Sequence, residues 1–365
     1  MITLLGVAAT LLMGPIQGNS LIKNTFKESA DGWTGLGQKS KISIVHDAPV
    51  VAPSPGALKF SYGVGKGDFN ALLLPAAVGS LKGAKSVKFR VWADATTPMA
   101  IAFSEDGGGR YSAIFQGVKN TWQTVELSVA DFGLGRDAND PKDPDVKLDM
   151  DQVNAVTMID LSEIFVQALP DELKDMFDIH PGEHLMYIED FTVSTEAVPS
   201  WTSGSGDTVN IDTLVHPQLP WFGLGGVKVS RVTGKPLDGT ALQIDSHDAP
   251  GKLGVAIRNL LPWSLTSTKS ISFDAASKES TSLVIQIETI DGGKFKTGVD
   301  LSGDSQVKHI KLNFADFTPA PDSAGPDKTL KVDKAKALLL IESSGMVITA
   351  ERDNTIWVNH LVASN

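Results

Sequence analysis

The sequence predicts an all-β chain folded as two tandem β-sandwiches, and three observations predict it. The pentapeptide "WTGLG" at Trp33 returns as "WFGLG" at Trp221, one in each half. Many segments alternate apolar and polar residues with a period of two. Asp-Gly turn signals, in "SEDGGGRY" and "TIDGGKF", join pairs of such segments as hairpins.

The strands follow from the alternation. In "SVKFRVW", Val87, Phe89 and Val91 point one way, and Lys88, Arg90 and Trp92 the other. In "TVELSV", Val125, Leu127 and Val129 oppose Glu126 and Ser128, and Ile310 and Leu312 oppose Lys311 and Asn313. One polar face per strand marks antiparallel sheets with one side toward solvent. Short strands with turns between them make a sandwich.

Five further blocks recur in the same order. "KSVKFRVWAD" matches "KSISFDAASK", and "MAIAFSEDGGGRYSAIF" matches "LVIQIETIDGGKFKTGV". "WQTVELSVADF" matches "VKHIKLNFADF", and "KLDMDQVNAVTMIDLS" matches "TLKVDKAKALLLIESS". "HLMYIEDFTVS" matches "NTIWVNHLVAS". A unit of roughly 160 residues is far longer than a solenoid repeat, so this is a duplicated domain. The copies are expected at 21–196 and 208–365. A Ser-, Gly- and Pro-rich connector, 197–207, separates them. Trp201 interrupts the connector and is expected to dock on one domain. One helix is expected, inserted in the first copy only. In "LPDELKDMFDI", Pro170 and the acidic Asp171 and Glu172 suit a helix start, and Leu173, Met176 and Phe177 share a face.

Composition narrows the function. The chain has 365 residues, 42% hydrophobic and 21% charged, so each half can bury a core. A net charge of -11 argues against nucleic acid, which needs a basic surface. There are no cysteines, which excludes disulfides, thiolate zinc sites and cysteine nucleophiles. The run "MITLLGVAATLLMGPIQG" has the length of a signal-peptide apolar region, ended by Gly14-Pro15. No Lys or Arg precedes it and no clean cleavage site follows. Residues 1–20 are expected to be a signal peptide, leaving no membrane span in the mature chain and placing it outside the cell, in the periplasm or on the cell surface.

The strings "DGGGRYSAIF", "WQTVELSVADF", "LDMDQVNAVTMIDLS" and "LMYIEDFTV" together resemble the galactose-binding-like jelly rolls of secreted carbohydrate-binding modules. The complex I intermediate-associated family is similar to the same pattern. The resemblance spans the first copy. The second is a weaker match, with Val307 in place of Trp122 and Asn359 where Asp190 would be. The resemblance implies two tandem jelly rolls, a polysaccharide or glycan as partner, and binding residues on a concave sheet. It also implies a structural Ca²⁺ between first and last strands, with Glu28 and Asp190 as candidate ligands and Asp212 with Asn359 as weaker counterparts.

Sugar sites stack rings on aromatic faces and bond hydroxyls with carboxylates, amides and arginine. Trp92, on a polar strand face with Arg90, is a candidate platform or else a cover for the insertion or the second domain. Asp106, Arg110 and Tyr111, around the "EDGGG" turn, are further candidates. The second copy has Ala276, Lys294 and Phe295 at the positions of Trp92, Arg110 and Tyr111. Trp33 and Trp221, present in both copies, read as core, Trp122 as packed under a loop, and Trp263 as a further exposed candidate.

Catalysis has little support. The pair in "HPGEH" names no third metal ligand, "GDSQV" lacks the glycines of a nucleophile elbow, and "GVGKG" lacks the length of a phosphate loop. The acidic stretch Asp137–Asp151 lacks EF-hand spacing and reads as a solvated loop. The expectation is therefore a binding protein and not an enzyme. The alternative is a structural or protein-interaction component of the cell envelope.

Overall fold

The computed structural model describes residues 20–47, 55–67, 69–135, 142–168, 179–216, 218–261 and 264–365. The expected signal segment up to residue 19, Trp263 and residues 169–178 of the expected helix lie outside them. Among the described residues the α-helix is α1 (Ser162–Ala168), which ends before that string begins.

The first sandwich comprises β1 (Ser20–Asn24), β2 (Thr34–Leu36), β3 (Lys41–Val45), β4 (Ala57–Val64), β5 (Ala71–Pro75), β6 (Ser86–Ala93), β7 (Thr97–Glu105), β8 (Arg110–Gly117), β9 (Gln123–Ser128), β10 (Gly133–Leu134), β11 (Val153–Asp160) and β12 (Gly182–Ser194). The second comprises β13 (Ser203–Ser205), β14 (Thr208–Asn210), β15 (Trp221–Leu224), β16 (Lys228–Thr233), β17 (Thr240–Asp248), β18 (Gly254–Asn259), β19 (Ser270–Ser277), β20 (Thr281–Thr289), β21 (Lys294–Leu301), β22 (Lys308–Asn313), β23 (Thr318–Pro319), β24 (Ala335–Glu342) and β25 (Arg352–Ser364).

The chain is two tandem jelly-roll sandwiches, and they share one topology. One sheet of the first runs β3-β4-β12-β6-β9 with β1 added to β12, and the other runs β10-β8-β7-β11-β5-β2. In the second, β16, β17, β25, β19 and β22 pair in the same succession with β14 added to β25, and the opposite sheet runs β15-β18-β24-β20-β21-β23. Among the described strands only β13 has no counterpart; it lies in the stretch read as connector and pairs with β14.

Alternation explains the cores. Val87, Phe89 and Val91 of β6 are buried with Phe103, Tyr111 and Phe115 of the facing sheet. In the second sandwich Phe273 and Ile356 meet Ile285, Phe295 and Leu340. The duplication extends to polar detail. Trp33 Nε1 donates to Asn24 Oδ1 at 3.1 Å, and Trp221 Nε1 donates to Asp212 Oδ2 at 2.7 Å. Thr97 bonds both Asp160 and Ser162, just as Thr281 bonds both Glu342 and Ser344. The long strands β12 and β25 bulge at the same place, with Asp190 and His360 at φ +48° and +51°. The bulge aligns His360 with Asp190, and Asn359 with Glu189. The expected match of Asn359 to Asp190 is therefore one residue out of register.

The sandwiches touch along one seam. Strand β15 lies against β7 and β8, Phe222 is 3% exposed there, and Gly223 N donates to Oε1 of buried Gln116 at 2.7 Å.

A cleft at the joint between the two sandwiches

Trp201 fixes the joint. It is 2% exposed and packs into the apolar core of the first sandwich. Its backbone N–H donates to Asp131 Oδ1 at 2.9 Å, and its indole N–H donates to His216 Nδ1 at 3.0 Å. The buried Arg258 guanidinium sits 5.5 Å over the ring and donates to Thr202 Oγ1 at 3.0 Å. The docking expected of this residue is therefore found, with partners from both sandwiches.

The titratable groups around Trp201 are shaped by burial. Asp131 is pushed above the usual carboxylate range by burial, against the opposing hydrogen bonds from Ser200, Trp201 and Ser128. Burial lowers His216 below the usual imidazole value, against the opposing charge of Asp131. Nδ1 of His216 must be unprotonated to accept the indole N–H, so the neutral ring is the form that fits.

Where β15 leaves the seam at Gly223 lies a cleft of about 290 Å³ lined from both sandwiches. On one side are the turn Ala95–Thr96, Lys119, Ser162 and His180; on the other is the β15–β16 turn through Lys228. Gly225 and Gly226, at φ +72° and +73°, make that turn in a conformation glycine adopts without strain. Pro98, Ile179, Leu224 and Val227 supply apolar surface.

Buried hydrogen bonds hold the first wall. Ser162 is 2.7 Å from Thr97 Oγ1, which bonds Asp160, and Asp160 accepts from Tyr62 at 2.8 Å. Lys119 N donates to Thr96 Oγ1 at 3.1 Å. His184 clamps the edge: Nδ1 lies 3.1 Å from Asp94 Oδ1 and Nε2 lies 2.8 Å from the carbonyl of His180. Both contacts call for an N–H donor, so the imidazolium satisfies them together. The Asp94 hydrogen bond raises the His184 pKa above the usual imidazole value accordingly, against the burial that lowers it.

The residues expected from the sequence do not converge. Trp92 and Arg90 lie on the outer face of β6, whereas Asp106, Arg110 and Tyr111 belong to the β7–β8 hairpin of the other sheet. Trp92 is 7% exposed, packed edge-on against Tyr187 at 5.4 Å, with half-buried Trp122 in the same cluster. It is not an open platform. Arg90 bonds buried Glu189 at 2.6 Å and lies 5.0 Å over the ring of Trp122. Tyr111, 1% exposed, points into the core and donates its hydroxyl to Asp143. Its counterpart Phe295 is buried in the same way, so the aromatic serves the shared fold and cannot stack a sugar. Asp106 and Arg110 stay exposed at the hairpin tip.

Trp33 and Trp221 are core residues in both copies. Glu28 is exposed beside Lys27, and Asp190 is exposed on its bulge. Among the described residues no three His, Asp or Glu side chains gather to hold a metal ion. Where described, the acidic loop forms successive aspartate turns, Asp145 N to Asp143 and Lys147 N to Asp145.

No family model and no curated protein matches the chain. Among solved structures it is similar to carbohydrate-binding modules. A family 11 module of the cellulosomal cellulase Lic26A-Cel5E of Clostridium thermocellum is 16% identical over 40% of this chain and 86% of its own, with a TM-score of 0.32. The CBM22-1–CBM22-2 tandem of Paenibacillus barcinonensis Xyn10C is 12% identical over 95% of this chain and 98% of its own, at 0.30. A family 30 module of the cellulosomal cellulase Cel9D-Cel44B of Clostridium thermocellum is 14% identical over 39% and 87%, at 0.28. At such scores the likeness carries no argument about ligand, and the fold rests on the sheet order given above.

Proposed function

We propose that the chain is a non-catalytic polysaccharide-binding protein whose groove is the cleft between the sandwiches. The observation that carries this is the two-sided lining of a preformed site. A sugar ring offers apolar C–H faces and a rim of hydroxyls. Pro98, Ile179, Leu224 and Val227 suit the former, and the hydroxyls of Thr96 and Ser162 suit the latter. The lining contains no Phe, Tyr or Trp ring and no carboxylate, so it supports recognition without stacking on a large aromatic face and without hydrolysis by a carboxylate pair. This moves the site away from Trp92 and makes it a shared property of the tandem. A polysaccharide partner goes with export, which mass spectrometry of the mature N-terminus would test.

Affinity electrophoresis through gels holding a panel of neutral and acidic polysaccharides tests the proposal. Wild type should be retarded by at least one, and Ala95→Trp, which fills the cleft from a half-exposed position, should not. A folded wild-type protein that no polysaccharide retards would sink it.

A further inference from the structure

We infer that the saccharide held in this cleft is acidic, bearing uronate carboxylates or sulfate esters; the inference rests on the polysaccharide reading of the same site. The chain carries 43 Asp and Glu against 32 Lys and Arg, a net charge of -11. Against that background the cleft is lined by Lys119, Lys228 and His180 and by no Asp or Glu.

The two lysines line the cleft from different sandwiches. Both lysines are exposed, and neither has a carboxylate within ion-pair distance among the described residues. Other lysines are neutralised by carboxylates: Lys88 pairs Glu126, Lys294 pairs Asp322, and Lys334 pairs both Asp291 and Asp327.

The carboxylates close in sequence to Ala95 and Ser162 are engaged in internal bonds. Asp94 accepts from Leu185 N at 3.0 Å and faces His184. Asp160 is taken up by Tyr62, Thr97 and Ser162 N, and Glu163 accepts from Asn70 N at 2.6 Å. An anionic group in the cleft therefore meets donors and cations, while a wandering anion elsewhere meets an acidic protein. Such a local reversal of sign selects for charge and position.

The test is calorimetry on the full chain with three probes: polygalacturonate oligomers, sulfated galactan oligomers and a neutral β-glucan. At least one acidic probe should bind about tenfold or more tightly than the neutral one, and the two acidic arms separate carboxylate from sulfate. Lys119→Ala and Lys228→Ala should each weaken acidic binding by about three- to tenfold, and raised salt should weaken it further. Both lysines are exposed, so folding should survive; circular dichroism checks this.

Binding of the neutral glucan alone, unaffected by either lysine change, overturns the acidic inference and leaves polysaccharide binding standing. Acidic binding indifferent to both lysines and to Ala95→Trp overturns the placement in the cleft. Failure of all three probes, together with every polysaccharide of the gel panel, overturns the parent proposal as well.

Discussion

The indole N–H of Trp201 is bonded to Nδ1 of His216 at 3.0 Å, which ties the core of the first sandwich to the entry strands of the second. Trp201→Ala should cost about 3 kcal/mol or more, the usual loss for a buried tryptophan. The effect should be visible as decoupling: one cooperative calorimetric transition in wild type, two in the variant. A single transition merely shifted downward would show that the seam at Gln116 and Gly223 suffices to couple the halves.

The joint should respond to acid through His216, which faces Asp131, Glu126 and Arg231. Its pKa is lowered in the fold, so its contribution is complete above the unfolded value of about 6.5 and is lost as pH falls below it. His184, facing Asp94 and Asp160, behaves oppositely. Its pKa is raised, so its contribution is complete below the unfolded value and is lost as pH rises through the folded one. Folding stability should therefore decline on both the acid and the alkaline side of the unfolded value. His216→Asn, which keeps an acceptor for the indole, should flatten the acid limb, and His184→Gln the alkaline limb. A titration that is flat in wild type contradicts both assignments.

The two repeated tryptophans should differ in cost. Trp33→Phe strands the amide oxygen of Asn24, a neutral acceptor, at about 1 kcal/mol beyond the shared loss of packing. Trp221→Phe strands Oδ2 of Asp212, a carboxylate that burial already pushes above the usual range, and should cost about 2–3 kcal/mol beyond it, with Leu214 N still bonded to Oδ1. Chemical denaturation of the two variants gives the comparison. Equal losses would mean that the indole bond to Asp212 is worth no more than the bond to Asn24.

Trp92 should matter to stability and not to binding. Trp92→Ala removes the edge partner of Tyr187 and should cost about 3 kcal/mol, leaving polysaccharide retardation intact once folded. Trp92→Phe should be milder, because Nε1 makes no hydrogen bond that would be lost. Loss of retardation in a folded Trp92→Ala protein would return the site to β6.

Much of the fold was legible because period two and duplication are local signals. Val87, Phe89 and Val91 are buried as the alternation predicts, and each quoted block falls on matching strands. The site was not legible in the same way. Alternation assigned Trp92 to the outer face, but an outer face is not an exposed one where other side chains pack over it. The same alternation governs Tyr111. Tyr111, Ala113 and Phe115 alternate inward, so Arg110 and Tyr111 cannot both face solvent. Lys119, Ser162, His180 and Lys228 carry no motif. The first three belong to one sandwich, and Lys228 joins them only because β15 docks on β8.

That docking is head-to-tail: different surfaces of two like modules meet. Such a contact does not close on itself and in principle propagates. On the second sandwich exposed Asp300 stands at the position of Gln116. The other half differs as well: exposed Thr34 stands in the first sandwich where buried Phe222 stands in the second. A third like module added at that end would meet a hydroxyl-bearing side chain where the existing seam buries a phenyl ring.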